Sequence, residues 1–167
     1  MKLNLPTDSA LNRKDFTFGV ATSAFQIEGA VDSRLPNIWD AFCRQEGAIS
    51  DSSNGDVACC HVDLWQQDID LIESLAVDAY RFSISWPRVM NADGSLNQQG
   101  VDFYIAILDT LKRKNIKPFV TLYHWDLPLH LEAQGGWLNR QTAYRFAEYA
   151  DLISQAFGDR KSEAKRS

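Results

Sequence analysis

Two apolar segments constrain the fold of this chain most: "DAYRFSI" at residues 78–84 and "IKPFVTLYH" at residues 116–124. Each is short and almost continuously apolar, as expected for a strand that is buried on both faces of a parallel sheet. An earlier segment, "FTFGVAT" at residues 16–22, is interpreted as a first strand. Helical patterns follow all three strands, and this alternation predicts an α/β fold with a parallel sheet covered by helices.

The predicted helices are defined by apolar residues that recur at spacings of three and four. The apolar face of the first helix comprises Val62, Trp65, Ile69, Ile72 and Ala76. The second helix covers about residues 98–114, and its apolar face comprises Val101, Tyr104, Leu108 and Leu111. The third helix begins after Asn139 as N-cap and ends at Gly158, and its apolar face comprises Ala143, Phe146, Ala150, Ile153 and Phe157. This pattern fits either a doubly wound sheet or a barrel.

Length and charge exclude several function classes. The 167 residues are enough for one domain with a core, and the net charge of −5 gives no reason to expect a nucleic acid or an anionic membrane as partner. No apolar run approaches the roughly 18 residues that would span a bilayer. The N-terminal segment has no apolar core of a secretory signal, so we expect a cytoplasmic protein.

The three cysteines, Cys43, Cys59 and Cys60, are odd in number and two of them are adjacent. This arrangement suits neither a disulfide framework nor a zinc site, and we expect free thiols. No GxGxxG or Walker motif follows the predicted strands, which disfavours nucleotide binding. No metal or organic cofactor is implied.

Polar and aromatic side chains follow or interrupt the predicted strands, where function gathers in parallel α/β folds. They comprise Gln26 and Glu28 after the first strand, Arg81 in the second, and His124, Trp125 and Asp126 after the third. A sugar explains this mixture, because an amide such as Gln26 can both donate to and accept from neighbouring hydroxyls. His124 and the indole N–H of Trp125 add donors, and aromatic rings pack on the C–H faces of a sugar. We therefore predict a sugar-binding pocket.

Structural alternatives exist for each of these residues. Gln26 alone could order a loop, His124 could bond to the backbone, and Trp125 could belong to the core. Glu28 could be a catalytic carboxylate, although its place directly after a strand favours a structural role.

Arg81 lies between aromatic residues in an apolar strand, so we expect it to be buried beside a carboxylate. That carboxylate could be a structural acid such as Asp56, or an acid of the active site.

Five segments resemble, in order and spacing, the family 1 glycoside hydrolases, the β-glucosidase family. They are "FTFGVATSAFQIEGA" at 16–30, "NIWDAF" at 37–42, "YRFSISWPRV" at 80–89, "YHWDLP" at 123–128 and "GGWL" at 135–138. The resemblance covers about residues 16–160. The chain departs from the family pattern at Cys60 and Val62, which flank His61, and at Ala76, where a glycine is common.

The resemblance implies a (β/α)8 TIM barrel, of which this chain contains roughly the first three β/α units. It implies retaining hydrolysis of a β-glucoside or related oligosaccharide. Gln26, His124 and Trp125 fall on positions that contact the nonreducing sugar, and Arg81 falls on the arginine that supports the nucleophilic carboxylate.

The resemblance also implies that both catalytic glutamates, the acid/base and the nucleophile, belong to later strands and are absent from residues 1–167. We interpret residues 1–160 as the N-terminal part of one barrel domain and 161–167, "KSEAKRS", as a tail outside the family pattern. We therefore expect this chain to be inactive alone, and unpaired barrel edges to impair its folding. The alternative is a non-catalytic sugar-binding or complementing fragment.

Overall fold

The computed structural model describes residues 6–158 and contains a parallel sheet with helices packed against it. The strands are β1 (Gly19–Ala21), β2 (Ala79–Ser83) and β3 (Lys117–Thr121). The helices are α1 (Ala24–Ile27), α2 (Ile38–Cys43), α3 (His61–Ser74), α4 (Trp86–Val89), α5 (Gln98–Arg113), α6 (Leu129–Glu132) and α7 (Arg140–Phe157). Short 3-10 helices lie at Ala10–Asn12, Val31–Ser33 and Gly136–Leu138. The predicted parallel α/β fold is confirmed.

The strands follow one another across the sheet in the order β1-β2-β3. Both pairs are parallel, and the register aligns Ala21 with Arg81 and Arg81 with Phe119. Helices α3 and α5, which connect these strands, pack against each other. A doubly wound sheet reverses its strand order at a switch point, whereas sequential strands are the arrangement of a (β/α) barrel.

The core lies between the sheet and the helices. The predicted apolar face of α5 is confirmed, since Val101, Tyr104, Leu108 and Leu111 are all buried. Helix α7 packs onto this core through Tyr149, whose ring stacks on Trp86 at 4.9 Å between centroids. The Asn139 side chain caps α7 by accepting from the backbone N–H of Gln141, as the sequence predicted.

Some local predictions were wrong. Strand β1 is shorter than residues 16–22, because Phe16 and Phe18 lie before the paired segment and are exposed. Ala76 does not belong to the buried face of α3, since the helix ends at Ser74 and Ala76 has a φ of 51°. Ala143 on α7 is also exposed.

Helix α2 lies between the first predicted strand and the first predicted helix, where the apolar periodicity predicted no helix. It is initiated by a capping box in which the Asn37 side chain accepts from the backbone N–H of Asp40 and the Asp40 carboxylate accepts from that of Asn37. This spacing of Asn and Asp was the available signal.

The tail at residues 161–167 lies outside the described residues. Within residues 6–158, no helix combines the length and the hydropathy required to cross a membrane.

Candidate functional site

A cleft of about 330 Å³ opens beside the segments that follow β1 and β3. It is lined by Ser23, Phe25, Gln26, Trp39, Cys43, Ile49, Ser53, Asn54, His124 and Trp125. The structure therefore brings Gln26, His124 and Trp125 together, although about 100 residues separate the first from the other two. Parallel strands explain this, because their carboxyl ends meet at one edge of the sheet.

Gln26 lies in α1 and is exposed to the cleft. Its Oε1 accepts a hydrogen bond of 2.7 Å from the hydroxyl of the buried Ser23. This bond orders the side chain locally, which agrees with the alternative that Gln26 has a structural role. It occupies only the carbonyl oxygen of the amide, whose NH2 group supplies two further donors.

His124 and Trp125 follow β3 in a bend of the backbone. His124 is half-buried, whereas Trp125 is 65% exposed and therefore does not belong to the core. The φ of Trp125 is 70°, a left-handed conformation that residues with a Cβ adopt at a cost. The ring of Trp125 meets Tyr123 edge to face, with centroids 6.1 Å apart. The exposed indole leaves apolar surface for a ligand.

The expectation that Arg81 is buried was wrong. Its neighbours Tyr80 and Phe82 point into the core beneath the helices, whereas Arg81 is exposed on the opposite face of β2. Its Nε donates to the Thr121 hydroxyl at 3.0 Å, and no carboxylate among residues 6–158 forms an ion pair with it. Asp56, the candidate structural partner, instead pairs with Arg44, whose Nη2 lies 3.3 Å from Oδ1 of Asp56.

Glu28 has a buried partner that the sequence interpretation missed. Arg88 in α4 donates from Nε to Oε2 of Glu28 at 2.8 Å, and Tyr104 donates its hydroxyl to Oε1. Burial, together with the negative charge of Glu28, raises the pKa of Tyr104 well above its usual value. Arg88 also donates to the carbonyl of Gly29 at 3.0 Å. These contacts fix the segment after α1 against α4 and α5 and support the structural role of Glu28.

Asp126 differs from its neighbours His124 and Trp125 because it points away from the cleft. It is 1% exposed, and neither carboxylate oxygen has a hydrogen bond of regular geometry among the described residues. Burial and the nearby charge of Glu28 raise the pKa of Asp126 to about 6. The backbone N–H groups of Asp126 and His124 and the Ser85 hydroxyl oppose this shift in part.

A second buried ion pair fixes the wall of the cleft that α2 provides. Arg34 donates to both oxygens of Asp40, at 2.6 and 2.8 Å. Burial alone would raise the pKa of Asp40, but the hydrogen bonds from Arg34 and from the Asn37 backbone hold it below its usual value. The backbone of Ile38 donates to the Leu127 carbonyl at 3.0 Å. The start of α2 is therefore tied to the segment that carries His124 and Trp125.

Sequential parallel strands, with a cleft lined by residues that follow two of them, define a protein of the (β/α) barrel class. The chain belongs to Glycosyl hydrolase family 1, whose sequence profile matches residues 9–163.

Similar proteins agree with this family. The chain is 50% identical over 149 residues to "Beta-glucosidase" of Agrobacterium sp., covering 87% of this chain and 32% of that protein. It is 51% identical over 148 residues to "Beta-glucosidase A" of Thermotoga maritima, covering 87% and 33% of the two chains. The chain thus spans about a third of the length of the curated relatives it matches.

The fold agrees as well. The solved structure of the beta-glucosidase from Thermotoga maritima in complex with deoxynojirimycin superposes with a TM-score of 0.84 at 49% identity. The match covers 89% of this chain and 35% of that one. The described chain is therefore a partial (β/α)8 barrel.

Proposed function

We propose that this chain supplies the sugar-binding part of a β-glucosidase active site, in which Gln26, His124 and Trp125 contact the nonreducing sugar of a β-glucoside. The observation that carries the proposal is that these residues, from two distant segments, line one cleft. The relatives named above are β-glucosidases, and one of them has been solved with deoxynojirimycin.

The chemistry of the cleft suits a sugar ring. Its volume of about 330 Å³ lies in the range of small-molecule sites. The NH2 group of Gln26 and the imidazole of His124 provide directional hydrogen bonds to hydroxyls. The exposed indole of Trp125 provides an apolar face and one N–H donor. A site that forms hydrogen bonds with hydroxyls in this way discriminates strongly between a sugar and its deoxy analogue, because the analogue leaves polar groups of the site unpaired.

We further propose that residues 1–167 alone do not hydrolyse the glycosidic bond. Retaining hydrolysis requires two carboxyl groups about 5–5.5 Å apart at the scissile bond. No aspartate or glutamate of the described residues lines the cleft. Glu28 is held by Arg88 and Tyr104, and Asp126 points away. We assign to Arg81, which is exposed on the sheet face opposite the helices, the support of the nucleophile in the whole protein, as the family resemblance implies.

Incubation of the purified chain with an aryl β-glucoside tests the second proposal. We expect no release of the aryl alcohol above the level of a matched Gln26→Ala preparation. Hydrolysis that exceeds this control, and that the Gln26→Ala variant abolishes, would contradict it.

A complementing role is the second candidate function, and the sheet face opposite the helices favours it. Arg81 and Phe119 align across β2 and β3, and both are exposed there, Phe119 by 43%. Co-expression with the remaining two thirds of the related Thermotoga maritima protein would test this role. Activity in the mixture and in neither part alone would support it, and an inactive mixture in which both parts are soluble would oppose it.

A further inference from the structure

Asp126 directly follows Trp125, which lines the cleft, but is itself buried. The two adjacent side chains diverge, since Trp125 is 65% exposed and lines the cleft whereas Asp126 is 1% exposed. Neither oxygen of Asp126 has a hydrogen bond of regular geometry in residues 6–158. A buried carboxylate without such partners costs folding free energy, so its position calls for another physical explanation.

The backbone above Asp126 is held in an unusual conformation. Trp125 has a φ of 70°, which is strained for a residue with a Cβ. After the bend, the chain is anchored by the bond from the Ile38 N–H to the Leu127 carbonyl and by a bridge between Asn37 and Pro128. On the other side, the backbone N–H groups of His124 and Asp126 favour the charged form of the carboxylate, although neither forms a hydrogen bond of regular geometry with it. The charged carboxylate therefore attracts the backbone of the bend.

Several ionisable groups face Asp126 from the surrounding elements. The negative charge of Glu28 acts on it, and its own charge acts in turn on Arg34, Tyr123 and Tyr149. Arg34 is engaged with Asp40 and Glu28 with Arg88, so neither is a direct partner. Burial and the charge of Glu28 together raise the pKa of Asp126 to about 6. Its charge therefore changes within a mildly acidic range.

We propose that Asp126 is a positioning residue for the sugar site, whose charged carboxylate attracts the backbone N–H groups of the bend and thereby holds His124 and Trp125 in the orientation that binds sugar. The inference rests on the proposed function. Protonation of Asp126 removes this attraction, allows the bend to relax, and lowers the affinity of the cleft for a neutral sugar.

The first test follows the Trp125 indole N–H by NMR between pH 4.5 and 8 without sugar. It uses His124→Gln as background, so that the Trp125 signal does not report on the adjacent imidazole. We expect the Trp125 signal, assigned with Trp125→Phe, to shift with a midpoint near pH 6, and the shift to vanish when Asp126→Asn is added. A signal without a midpoint near pH 6 in the His124→Gln background overturns the proposal, even if the double variant does not fold.

The second test measures binding of methyl β-D-glucoside at pH 7.5. We expect Asp126→Asn to weaken binding by about tenfold, the effect of reducing the binding-competent bend to about a tenth of the population. Asp8→Asn, which removes an exposed carboxylate, serves as the control and should bind like the parent chain. Equal affinity of parent and Asp126→Asn overturns the proposal. Failure of the parent chain to bind the glucoside would contradict the proposed function instead, while the indole titration would still decide the role of Asp126.

Discussion

The Nε atom of Arg88 lies 2.8 Å from Oε2 of Glu28, and the side chains of both residues are only 3–4% exposed. Sixty residues separate them in sequence, so this ion pair ties the segment after β1 to the helix after β2. Because Tyr104 also donates to Glu28, three parts of the chain meet at one carboxylate. The arrangement fixes the position of α1, the helix that carries the cleft residue Gln26.

Loss of Arg88 should therefore be costly. We expect Arg88→Ala to lower the free energy of unfolding by about 3–5 kcal/mol, because it leaves the Glu28 carboxylate buried without its cation. Urea unfolding at neutral pH measures the change. Arg145→Ala, which breaks an exposed pair with Glu148, should cost less than about 1 kcal/mol. Similar losses of unfolding free energy in the two variants would show that the buried pair contributes no more to stability than the exposed one.

Ala76 should be replaceable with a gain in stability. Its φ of 51° is unfavourable for a residue with a Cβ but not for glycine. We expect Ala76→Gly to raise the free energy of unfolding by up to about 1 kcal/mol, since relief of strain exceeds the added entropy of the unfolded chain. The same substitution at Ala143, exposed within α7, should lower it by about 1 kcal/mol. Opposite signs in thermal or urea unfolding confirm the account, and a loss at both positions contradicts it.

Asp126 should make stability depend on pH. Its folded pKa of about 6 exceeds the ordinary value of 3.8, so the folded state holds the proton more tightly than the unfolded state. The resulting stabilisation is fully present below the unfolded pKa and is lost as the pH rises through about 6. At about 1.4 kcal/mol for each unit by which the pKa is raised, the charged carboxylate lowers the free energy of unfolding by about 3 kcal/mol at pH 7.5.

Asp126→Asn should remove this cost. We expect the variant to exceed the parent chain in unfolding free energy at pH 7.5 and to lose that advantage near pH 4, as measured by urea unfolding at both pH values. A variant less stable than the parent at pH 7.5 would show that the carboxylate stabilises the fold. Greater stability combined with weaker sugar binding is the pattern expected of a group retained for positioning.

The sequence predicted those parts of the fold that depend on local periodicity. The apolar stripe of α5, including Tyr104 and Leu108, follows from helical spacing alone, and Asn139 follows from capping chemistry. The convergence of Gln26 and His124 on one cleft could be predicted because parallel strands place their carboxyl ends at one edge.

Contacts between distant residues could not be predicted in the same way. Arg81 lies in an almost uniformly apolar strand, and such a run does not indicate which sheet face is covered by helices. The pairing of Glu28 with Arg88 depends on how α4 turns after β2, which no spacing in the sequence records. The inward direction of Asp126 follows from the left-handed backbone of Trp125, a conformation that the residue types "HWD" do not favour.

Titration of the isotope-labelled chain with methyl β-D-glucoside, followed by NMR, tests the central claim most directly. The account predicts saturable shifts of the side-chain signals of Gln26, His124 and Trp125 with one common affinity, little change at the Trp65 indole on α3, and loss of the response in Gln26→Ala. No saturable shift at these three residues, or an equal shift at Trp65, would contradict the claim that they form one sugar-binding site.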